Sequence, residues 1–145
     1  MKNWTLIIAS FFFLSSAFAE PDENVVKEMA RQTHLSQDEI RANYNGCDSG
    51  VTLYMKICDS YRWMVEDVRL NKVYKSVLND AKKLGCESNL IQAQKSWLAY
   101  RDKACDFEGL MGAGGGTIEG LYILSCKEDL TKQRADRLEQ AVQSH

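Results

Sequence analysis

Proline is nearly absent from this sequence: of 145 residues only Pro21 is proline, so nothing beyond it breaks a helix by removing a backbone donor. Histidine is almost as scarce. His34 and His145 lie near the edges, which leaves a nucleophilic triad or a histidine-bound metal without its usual base or ligand. No run of about 20 apolar residues follows the first nineteen positions, so no membrane-spanning helix is expected after them. Basic excess is missing too. With 18 Lys and Arg against 20 Asp and Glu, the basic stripe that normally announces a nucleic-acid partner is not there. The five cysteines form no C-x-x-C pair, so neither a zinc site nor any other metal centre or cofactor is expected.

What is present starts at the N-terminus. Lys2, an apolar and small-residue stretch from Trp4 to Phe18, and Ala17-Phe18-Ala19 ahead of Glu20 have the order of a secretory signal peptide over 1–19, cleaved after Ala19. No cysteine stands at the cleavage point to take a lipid anchor. Cleavage leaves 126 residues, enough for one domain. Removing Lys2 from the 18 basic residues leaves 17 against 20 acidic ones, a net charge of −3. In the oxidising periplasmic or extracellular compartment so implied, Cys47, Cys58, Cys86, Cys105 and Cys126 are bridge-formers first.

The pattern along the chain is helical. Val25, Val26, Met29 and Ala30 make Glu23 to Gln32 weakly amphipathic. Ser36 and Glu39 form an S-x-x-E capping box flanked by Leu35 and Ile40, opening a short helix over Gln37 to Tyr44 that Asn45-Gly46 ends. Apolar residues keep helical spacing from Leu53 to Leu84, with Lys82 and Lys83 at the negative end and Gly85 as the stop. A second long helix covers Glu87 to Met111, its stripe running through Leu90, Ala93, Trp97, Arg101, Ala104 and Cys105. The third covers Ile118 to Val142, with Thr131 as a place for a kink. The fold class expected is all-α, a small antiparallel bundle of three long helices behind a short helical N-terminal extension, stapled by disulfides. Its divisions are the leader at 1–19, the extension at 20–46 and the bundle domain at 47–142.

Short connections make successive long helices antiparallel, which puts Cys58, Cys105 and Cys126 at one end of the bundle with Cys47 in reach. The preferred pairs are Cys47 with Cys58 and Cys105 with Cys126; the other two connectivities of four cysteines stay open. Cys86 is left at the far end as a free thiol or an intermolecular one that links a dimer. Six of the nine glycines fall between Gly109 and Gly120. No phosphate-cradle motif can be drawn through Met111 to Thr117, so this is read as a flexible connection, or else as a contact loop. The acidic Asp102, Asp106 and Glu108 on the second long helix read as a solvated face and not as a glycosidase pair. Arg101 sits on an apolar stripe and must find a partner. Asp67, one turn from Asn71, is the expected one, with Trp97 packed over the ion pair.

These residues carry a resemblance. Asp67-x-x-Leu70-Asn71-x-x-Tyr74, Gln94-x-x-Trp97-x-x-Tyr100-Arg101-Asp102-x-x-Cys105, Met55-x-x-Cys58, the Gly114-Gly115-Gly116 run, and Cys126 with Leu130-Thr131-x-x-Arg134 are similar to the domain of the LprI-type lysozyme inhibitors, over about Cys47 to Leu138. The four cysteines match the family's, while Cys86 and the segment before Cys47 are additions. The resemblance implies a secreted helical domain that inhibits lysozyme, and so a protein partner and no enzymatic activity. Cleft occlusion by a bridge-anchored loop is the mechanism expected, with Glu108, Gly112, Gly114, Gly115, Gly116 and Glu119 as the contact residues. The alternatives are a periplasmic binding or immunity protein against another envelope enzyme or toxin, and a structural envelope protein.

Overall fold

The computed structural model describes residues 20–143; the expected leader and His145 lie outside them. These residues form five helices and no strand: α1 (Glu23–Thr33), α2 (Gln37–Asn43), α3 (Thr52–Lys83), α4 (Glu87–Ala113) and α5 (Glu119–Gln143). None is long and apolar enough to cross a membrane. Boundaries follow local chemistry. The Asp22 carboxylate accepts the Asn24 and Val25 N–H groups at the start of α1, where orphan donors need an acceptor. The Ser36–Glu39 capping box opens α2 in both directions. Gly85, at φ 71°, follows α3. Gly114, at φ 60°, caps α4 by donating its N–H to the Leu110 carbonyl. Thr131 is no kink: α5 runs through it unbroken, with the side chain buried.

The long helices do not pack in the order the chain suggests. Arg62 pairs with Glu128 at 3.0 Å, and Arg69 pairs with Asp136 at 2.5 Å and Glu139 at 2.6 Å. Partners that climb both chains together make α3 and α5 parallel. α4 runs against both: Cys105 is bonded to Cys126, and Arg134 on α5 donates to Gln94 at 3.0 Å. α5 therefore lies along both neighbours, and α3 and α4, expected to pack on each other directly, touch far less. The cause is the bridge and the short turn at one end, which bring α5 onto α4, together with the Arg62 and Arg69 pairs that hold it on α3.

Two apolar clusters result. Val25, Val26, Met29, Ile40, Ile57 and Met64 close the first, between α1, α2 and α3. Leu70, Ala135 and Leu138 close the second, with Val77, Leu90 and Trp97 packed on it. Among the described residues α1 and α2 lie on each other and on α3 only, fixed by Arg41 to Glu23 at 2.8 Å and by the Asp22 N–H donating to the Tyr61 hydroxyl at 2.7 Å. Val65 and Ala93, placed on apolar stripes by their spacing, are exposed.

Close approach at the bridged end depends on glycine. A Cβ on Gly109 would stand 2.5 Å from Ile123 Cγ1, and one on Gly112 would stand 2.8 Å from the Tyr122 ring. Gly109→Val should therefore destabilise by about 2 kcal/mol in urea titration, because overpacking outweighs the small gain in helix propensity. Unchanged stability would mean that α4 and α5 are not pressed together there.

Candidate functional site

Where α3, α4 and α5 meet, Arg101 is buried at 6% exposure. Its Nε and Nη2 donate to Asp102 Oδ1 at 3.0 and 2.9 Å, and its Nη1 lies 3.4 Å from the Thr131 hydroxyl and 3.6 Å from Asp67. The expected Asp67 partner is thus present but more distant than the neighbouring Asp102. Asp67 accepts from Asn71 at 3.0 Å. Its pKa is raised, because burial outweighs the attraction of Arg101 and the Asn71 hydrogen bond. The guanidinium lies 5.2 Å from the Trp97 ring centroid and 5.6 Å from that of Trp63. Two aromatic faces therefore attend one cation.

Trp63 was not singled out by spacing, yet its ring also carries Lys127 at 5.1 Å. The signal was available: Trp63 precedes Asp67 by one turn, as Trp97 precedes Arg101. Arg134 packs 5.8 Å over Trp97, and its pKa is lowered by burial. Asp67, Asn71, Tyr74 and Gln94 line a shallow groove of about 270 Å³ between α3 and α4. This assembly meets the Arg101 charge with two carboxylates, a hydroxyl and two ring faces; nothing in it pairs a nucleophile with a base.

The bridged end is different in kind. Cys47 is bonded to Cys58 and Cys105 to Cys126. Of the residues expected to form the contact loop, Glu108 and Gly112 belong to α4 and Glu119 opens α5, so the connection is only 114–118. It is also not slack. The Gly116 N–H donates to the Ala113 carbonyl at 3.2 Å and the Glu119 N–H to the Gly116 carbonyl at 3.1 Å. Gly114, Gly115 and Gly116 are exposed, with open space around Gly114 and Gly115. Around this turn Phe107, Leu110, Met111, Ile118 and Tyr122 are all exposed. The fifth cysteine, Cys86, is free and exposed at the opposite end, on the edge of an open apolar groove of about 520 Å³.

Fold and site together define a small, doubly bridged helical domain with a buried, partnered arginine at its centre and exposed apolar side chains at its bridged end. The family model described as "Lysozyme inhibitor LprI" matches residues 45–138, well over half of the chain, and the protein belongs to that family. A protein of Rhizobium meliloti (strain 1021), itself described as uncharacterized, is 29% identical over 102 residues, covering 62% of this chain and 73% of its own. No solved structure matches.

Removing the Arg101 charge leaves Asp67 buried without its cation. Arg101→Ala should cost about 3 kcal/mol, and Arg101→Met less, because the stem between the two tryptophans is kept. In Arg101→Met the folded-state pKa of Asp67 rises further above its unfolded value. The variant should therefore recover stability below about pH 4 and lose it as pH rises through the folded pKa. Denaturation at pH 3.5 and pH 7 measures this; an equal penalty at both would remove Asp67 as the coupled group.

Proposed function

We propose that the mature protein is an exported inhibitor of lysozyme that occludes the enzyme's substrate cleft with its bridged end. Family membership carries the reading: the matched segment 45–138 spans both disulfides, the polar centre and the glycine turn. Two bridges suit an oxidising compartment, in keeping with the leader expected at 1–19. The hydrogen-bonded turn is ordered before any partner arrives, so little entropy is lost on binding. A mature net charge of −3 favours approach to a cationic enzyme, with a modest gain in association rate.

Purified oxidised protein should inhibit lysozyme turnover of cell-wall substrate stoichiometrically. Reduction should abolish the effect, since bridges with sequence separations of 11 and 21 residues are worth about 3 kcal/mol each. No effect on any lysozyme type would overturn the reading in favour of another envelope enzyme or a toxin as target.

A second reading rests on Cys86, whose exposure at an apolar groove suits a disulfide to Cys86 of a second copy, formed by exchange with a small-molecule disulfide that leaves as two thiols. A covalent dimer on non-reducing electrophoresis that disappears in Cys86→Ser is the expected sign; a monomer throughout would exclude it.

A further inference from the structure

From Gly109 to Ile118 the chain carries no charged residue, although charged residues make up 26% of the whole. Glu108 and Glu119 stand immediately outside this neutral segment. Within and beside it Leu110 is 57%, Met111 73%, Ile118 44%, Phe107 63% and Tyr122 46% exposed. The first turns of α3 add Val51, Leu53 and Tyr54, also exposed, and they belong to the same end, because the Lys56 side chain lies against Gly120. Exposed apolar side chains gathered at one end of a small acidic domain mark an interaction surface. The glycines of the turn have no side chains to fill a cavity. Binding energy must come from their neighbours.

We infer that the apolar crown of Phe107, Leu110, Met111, Ile118 and Tyr122, and not the glycine turn, is the docking surface, and that its occupant is a protein cleft with apolar walls around a central pair of carboxylates and a cationic rim. The inference rests on the proposed function and names the part of it that makes contact. Charge decides the occupant. Glycoside-cleaving clefts hold a pair of carboxylates at their centre, and a carboxylate pushed in beside them would be desolvated among like charges. The neutral segment avoids this. The Glu119 side chain lies back against α4, its Cγ only 3.2 Å from where a Gly109 Cβ would stand, and Glu108 sits on the last turns of α4. Carboxylates so placed face a rim, where exposed Asp48 and Asp106 add to them against Lys56 and Lys103. The bonded Cys105–Cys126 pair and the close approach at Gly109 and Gly112 keep the crown from collapsing onto itself.

The test measures binding of the oxidised protein to a cationic lysozyme, with a chitooligosaccharide as competitor. Phe107→Ser/Met111→Ser should weaken binding at least a hundredfold, with helicity unchanged because both side chains are exposed. Glu108→Gln/Glu119→Gln should slow association several-fold and flatten its salt dependence. Leu84→Ser, at the opposite end, should change nothing, and the oligosaccharide should compete. Full affinity in the Phe107/Met111 variant, with the oligosaccharide still competing, would overturn the crown while leaving cleft occlusion intact; binding that the oligosaccharide does not disturb would overturn the crown and cleft occlusion together. No binding by the unaltered protein would overturn both.

Discussion

A guanidinium held among three helices is the constraint on which the arrangement depends. Arg101 cannot be left unpaired at 6% exposure, because a buried charge without partners costs more than most contacts return. Its needs are met from every side at once: Asp102 on α4, Asp67 and Trp63 on α3, Thr131 on α5 and Trp97 one turn back on its own helix. A slide of α5 by one turn would withdraw Thr131 and leave Arg134 without Gln94. Polar satisfaction thus fixes the register that apolar side chains alone would leave loose.

With the middle fixed, the ends of the bundle take different characters. One end is closed by two covalent bridges and by glycines that let α5 side chains press onto the α4 backbone, which ties its surface down. Such tethering lets exposed apolar groups stay exposed. At the other end an open groove lies beside Cys86, which is unbridged. The N-terminal pair α1–α2 lies on α3 and on neither α4 nor α5, over the first half of α3, where Ile57 and Met64 join its cluster.

Much of the fold was legible. The Ser36–Glu39 box and Gly85 mark helix limits by chemistry that acts within a few residues, and the observed boundaries follow them, whereas α4 runs past the expected end at Met111 to Ala113. Partner choice was not legible in the same way. Periodicity shows which face of a helix is apolar but not which helix covers it, so the place of α5 along both neighbours depends on pairs such as Arg69 with Asp136, 67 residues apart. The glycines misled for a related reason. Composition reads Gly112 as part of a loop beyond a helix ending at Met111, whereas in the structure it is helical, as Gly109 is, and both are small where Tyr122 and Ile123 stand against them. The exposure of Phe107 and Leu110 is not legible in spacing, which does not show that α5 covers the Gly109 and Gly112 face of α4 instead.

The central claim is that recognition resides at the bridged end. Amide hydrogen exchange of the oxidised protein, alone and in excess lysozyme, tests it most directly. The account predicts new protection over 107–122 and the first turn of α3, with exchange along α1, α2 and the Cys86 end unchanged. Protection centred instead on the groove lined by Asn71 and Gln94, or on the Cys86 end, would contradict it.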